Sequence, residues 1–134
     1  MLLPEALDKT ETITVIRLSA RREDYGPFDD RLVGDEVGTW DGDQASQALS
    51  LIAAIPDGSP ARCFIPYWAI RVSRAKDVLF EMSFCYKCSN ARMWGPEIPA
   101  GDPMKFQGFA ADSPAAQDLL ERFRACVREQ GSLR

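Results

Sequence analysis

The chain has 134 residues, a length that suits one domain with a hydrophobic core of its own. Apolar residues make up 46% and charged residues 27%, close to globular averages, which argues against wholesale disorder and against a membrane class. The net charge of −4 comes with no histidine, which excludes the commonest general base, Ser-His and Cys-His nucleophile pairs, and imidazole zinc sites.

The opening MLLPEALDKTET has neither a basic leader nor an apolar run. No later segment reaches the roughly 18 apolar residues of a membrane span, so a cytoplasmic protein is expected. Pro4 followed by Glu5 to Lys9 reads as a short helix. TITVIRL, residues 12 to 18, is rich in β-branched residues and predicts a strand. Ile13, Val15 and Arg17 fall on one face and Thr14, Ile16 and Leu18 on the other. Apolar residues on both faces suit a central strand.

Residues 19 to 30 carry turn residues and charge without a period and read as loop. LVGDEVGTW, residues 32 to 40, is interrupted by Gly34 and Gly38 and suits a strand at a sheet edge. Between Glu23 and Asp43 stand eight acids and one base, Arg31, a local balance of −7, so the rest of the chain sums to +3. Such a run disfavours nucleic acid, whose phosphates need a basic face, and favours a basic protein partner drawn by long-range attraction. Asp29, Asp30, Asp35, Glu36, Asp41 and Asp43 are the candidate contacts, with Tyr25, Phe28 and Trp40 as candidate aromatic anchors. Helix capping and solubility explain the same acids without a partner. Asp41-Gly42-Asp43 opens like a calcium loop, but the twelfth position holds Ile52 where a bidentate Glu is needed.

Asp41 or Asp43 can cap a helix over residues 44 to 55, where Ala45, Ala48, Leu49, Ile52 and Ile55 recur at helical spacing and Pro56-Asp57-Gly58 ends the run. ARCFIPYWAIRVS and DVLFEMSFCYKC flank the turn Arg74-Ala75-Lys76 and predict an antiparallel hairpin. Phe64, Trp68, Ile70 and Val72 should share a core face with Val78, Phe80, Met82, Phe84 and Tyr86. Pro66 requires an edge or a bulge in the first arm. NARMW, residues 90 to 94, reads as a further strand and KFQGFA as a last short one. Ser113, Pro114 and Gly131 mark start and stop of a terminal helix whose stripe is Ala116, Leu119, Leu120, Phe123 and Val127. The fold class is α+β, a mostly antiparallel sheet of four to six strands covered by two main helices, in one domain over residues 1 to 134.

Cys85 and Cys88 form a single Cys-x-x-Cys, half of a zinc pattern. On an extended strand, positions three apart point to opposite faces. A hairpin centred near Ala75 sets Cys63 opposite Lys87 and on the face of Cys85, with Cys88 on the core face unless the backbone turns at Lys87. Free thiols packed as small apolar residues are the expectation, with disulfides disfavoured. The alternative is a zinc- or thiol-dependent protein centred on Cys63, Cys85 and Cys88, with Cys126 of the terminal helix as fourth ligand. The leading functional reading is a non-enzymatic binding module, an immunity or inhibitor protein for a basic partner, with no cofactor.

Cys63-Phe64-Ile65-Pro66, then Phe84-Cys85-Tyr86-Lys87-Cys88, then Ser113-Pro114 resemble a group of small uncharacterised bacterial proteins. These carry a Cys-Phe-x-Pro arm, a Cys-aromatic-x-Cys arm and a helix begun by Ser-Pro. The resemblance covers residues 62 to 127 and implies no activity.

Overall fold

A computed structural model describes residues 1–5, 7, 10–19, 32–61, 63, 65–99 and 101–132, the side chains of 130–132 aside. Six strands form one antiparallel sheet: β1 (Thr12–Leu18), β2 (Gly34–Asp41), β3 (Trp68–Arg74), β4 (Asp77–Cys85), β5 (Asn90–Trp94) and β6 (Phe106–Gly108). Their order across the sheet is β2-β1-β3-β4-β5-β6, and every neighbouring pair is antiparallel. Two helices, α1 (Asp43–Ala54) and α2 (Pro114–Ser132), complete an α+β fold. The short helix expected over Glu5 to Lys9 falls largely outside the described residues.

Strand alternation decides which side chains reach the core. Ile13 and Val15 of β1, Trp68, Ile70 and Val72 of β3, Phe80, Met82 and Phe84 of β4, and Ala91 and Met93 of β5 are all buried on one face. Ala45, Ala48, Leu49 and Ile52 of α1, and Ala116, Leu119, Leu120 and Phe123 of α2, pack on them. Phe123 sits at the centre. Its ring stacks on Trp40 at 5.7 Å and on Trp68 at 5.3 Å, and tilts against Phe84 at 5.6 Å. Fully burying side chains of this size contributes about 1.5–3 kcal/mol each before entropy is set against it. On the opposite face Arg71 joins Glu36 at 3.0 Å and Glu81 at 3.1 Å, tying β2, β3 and β4 across their strands.

Several boundaries differ from the sequence reading. The first hairpin arm becomes strand only at Trp68, after Pro66, because proline cannot donate to the ladder. Its register pairs Ile70 with Met82 and Val72 with Phe80, then shifts at a bulge between Val72 and Ser73. Ala75 takes φ 52° in the turn. Neither Asp41 nor Asp43 caps α1: the N-cap is Gly42 at φ 53°, with no side-chain cap, and Asp43 lies in the first turn, where its charge favours the helix dipole. Ser113 does cap α2, its hydroxyl accepting the Ala116 N–H at 3.3 Å. Gly131 lies inside α2, which runs on to Ser132. Val127, assigned above to the buried stripe, is 40% exposed.

Candidate functional site

Tyr25, Phe28, Asp29 and Asp30 lie outside the described residues. The remaining acids gather along β2, the outermost strand of the sheet. Asp35, Glu36 and Asp41 on the strand, and Asp43 at the start of α1, are all exposed. Residues 34 to 43 hold these four acids and no base. Glu36 is held by Arg71, and the Asp41 carboxylate accepts the Thr12 hydroxyl at 3.1 Å. Among the described residues Asp35 and Asp43 have no cationic partner. Val37 bulges from the strand, since Val15 faces Gly38 while Ile16 faces Glu36. Trp40 is not an exposed anchor: it pairs with Ile13 on the helix-covered face and is 8% exposed against Phe123.

The cysteines are rearranged from the expectation. Cys63 and Cys88 form a disulfide with their Cα atoms 5.7 Å apart, whereas Cys85 and Cys126 are free and buried. The backbone leaves the strand after Cys85 and turns through Tyr86 to Ser89, which has φ 56°. That turn brings the Cys88 N–H to 3.3 Å from the Cys85 Sγ, and the Ile65 N–H donates to the same sulfur at 3.4 Å. The buried Asn90 amide anchors the incoming segment by donating to the carbonyls of Cys63 and Ala61, at 2.8 and 3.1 Å. Ala61 N–H in turn donates to Cys88 O at 2.8 Å. Asn90, two residues beyond Cys88, is the side chain that holds this crossing.

This geometry overturns both the free-thiol expectation for Cys63 and Cys88 and the zinc set Cys63, Cys85, Cys88 and Cys126. Two of the four sulfurs are bonded to each other. Cys126 sits over β2, its Sγ and Cβ directly above the Gly38 backbone, with β1 and β3 between it and Cys85. Three strand spacings amount to roughly 14 Å, far beyond a shared metal. Burial and the nearby Glu129 push the Cys126 thiol up, away from the thiolate that metals bind. Among the described residues no group of three His, Cys, Asp or Glu side chains is placed to hold a metal.

The sequence reading missed a groove of about 620 Å³ between α2 and the ends of β1, β3 and β4. Leu120, Arg124, Val127 and Arg128 form its helical side, spaced so that they line one stripe. Arg17 and Trp68 form the strand side. Tyr86 and Lys87, the two residues between Cys85 and Cys88, close one wall. Tyr86 is fixed by donating its hydroxyl to Ala116 O at 2.7 Å and by an edge contact with Phe109 at 5.3 Å. Burial pushes its phenol well above the usual range, against the opposing pull of Arg124. No helix among the described residues is long and apolar enough to cross a membrane. The class defined is a six-stranded antiparallel sheet with helices on one face, an acid-lined edge and a basic groove. No protein-family model, curated protein or solved structure matches the chain.

Proposed function

We propose that this chain is a non-enzymatic binding protein that engages a basic protein through its acidic edge, an inhibitor or immunity protein being one form. The observation that carries the reading is that β2 is an outer strand bearing three exposed acids, with a fourth, Asp43, just beyond it and no base among residues 34 to 43. An outer strand offers a row of backbone donors and acceptors to an extended segment, and its side chains select which segment pairs. Asp35, Asp41 and Asp43 would select lysine and arginine. Acids on an outer strand also deter pairing between copies, so specificity for basic segments is what the experiment must show.

The test is titration with a ten-residue peptide of alternating lysine and valine, followed by calorimetry at several salt concentrations. Binding should weaken as salt rises, and Asp35→Asn with Asp41→Asn and Asp43→Asn should weaken it by about tenfold or more. Salt-insensitive binding, or a triple variant that binds like the parent, refutes the reading.

A second reading rests on Cys85, whose sulfur receives the N–H of a disulfide-bonded neighbour. Attack of the Cys85 thiolate on Cys88 Sγ would form a Cys85–Cys88 bond, break the bond to Cys63, and leave Cys63 as the thiolate that takes up the proton Cys85 lost. Peptide mapping by mass spectrometry after incubation with trace thiol would find both pairings if exchange occurs, and Cys63–Cys88 alone if it does not.

A further inference from the structure

We infer that the groove between α2 and the sheet is a binding site for a small organic anion with a flat, apolar body, a site separate from the acidic edge. Among the described residues four cations line it, Arg17, Lys87, Arg124 and Arg128, and no acid does. In a chain of net charge −4 this is a local reversal of sign. Arg128 is matched by Glu121 at 2.7 Å. Among the described residues Arg17, Lys87 and Arg124 have no carboxylate partner.

Arg17 shows most clearly that the site is built. Asp35 is its register partner on β2, yet the guanidinium turns the other way. It lies 5.0 Å over the Tyr67 ring and 4.9 Å over the Trp68 ring, and donates to Tyr67 O at 3.0 Å. Stacking on rings holds the charge in place while leaving it uncompensated. The facing wall is equally constrained, because Tyr86 is bonded to α2 and Lys87 sits in the turn that the Cys63–Cys88 disulfide closes.

The walls select the occupant. Trp68, Tyr86, Leu120 and the exposed Val127 offer apolar surface that a bare inorganic anion would leave unused. The volume falls within the 300–1,000 Å³ or so usual for small-molecule sites. A nucleic acid would need a basic face rather than one pocket in an acidic chain. A compact carboxylate, sulfonate or phosphate ester on a ring system uses both the charges and the rings.

The test uses anilinonaphthalene sulfonate as probe, read by energy transfer from tryptophan. Saturable binding of one probe per chain is expected. Arg124→Glu and, separately, Lys87→Glu should each weaken it by about tenfold, because each replaces an attraction with a repulsion. Nile red, a neutral probe, should bind equally to parent and variants, and inorganic phosphate should not displace the sulfonate. Asp41→Asn with Asp43→Asn should leave probe binding within about twofold, since both lie outside the groove. Lys87 is in a surface turn, so its variant tests the site even if Arg124→Glu fails to fold, with near-ultraviolet circular dichroism as the check on folding. Unchanged sulfonate binding in a folded Lys87→Glu, displacement by phosphate alone, or several probes bound per chain would overturn the inference.

Discussion

Removing the Cys63–Cys88 disulfide gives the sharpest check on the arrangement around the groove. The two cysteines are 25 residues apart in sequence, and closing a loop of that size in the unfolded chain corresponds to about 3.5 kcal/mol on the chain-entropy model. Cys63 is exposed and Cys88 fully buried, so Cys63→Ser with Cys88→Ala avoids placing a hydroxyl in the core. At the typical unfolding entropy for a chain of this length, the melting temperature should fall by about 12 °C. The assay is thermal unfolding of parent and double variant, each with and without a phosphine reductant. Reductant should lower the parent toward the variant and leave the variant unchanged, since both perturbations remove the same bond. A double variant melting within about 2 °C of the parent would show that the bridge contributes nothing to stability.

Three further outcomes follow from the packing and the ionisation. A Cβ at Gly38 would lie 2.8 Å from the Cys126 Sγ, so Gly38→Ala should destabilise by about 1–3 kcal/mol in urea unfolding. Adding Cys126→Ala should recover part of that loss, a coupling read from the double-mutant cycle. Phe123→Ala removes the ring shared by Trp40, Trp68 and Phe84 and should cost about 3–5 kcal/mol. The Tyr86 phenol stays protonated in the folded chain at pH values where the unfolded chain, near the ordinary value of 10.0, releases its proton. Stability should therefore fall as pH rises above that value, and Tyr86→Phe should melt with a shallower alkaline slope despite losing its hydrogen bond to Ala116.

Much of the sheet was legible because local chemistry and tertiary structure agree. Thr12–Leu18 and Asn90–Trp94 are strands at the expected bounds, and β2 is an outer strand as its glycines suggest. Ser113 and Pro114 begin α2 as local rules require. The errors arise where one long-range event outweighs local pattern. Alternation through FCYKC predicted extended backbone, but the segment ending at Cys63 crosses the strand ends, and Asn90 and the disulfide hold a turn there. Trp40 looked like a surface anchor beside acids, yet strand parity turns it toward Phe123. The groove was the hardest feature to see, since its cations come from β1, from the 86–89 turn and from α2, distant in sequence and individually ordinary. The spacing of Leu120, Arg124, Val127 and Arg128 was the available sign of a helix face half apolar and half basic.

The measurement that bears most directly on the binding proposal is amide chemical-shift mapping of the chain with the lysine-valine peptide at low salt. The amides of Gly34–Asp41 should shift together and gain protection from hydrogen exchange, while those of α2 beside the basic groove stay in place. Shifts confined to other elements, or none at peptide concentrations that saturate the calorimetric signal, would contradict it.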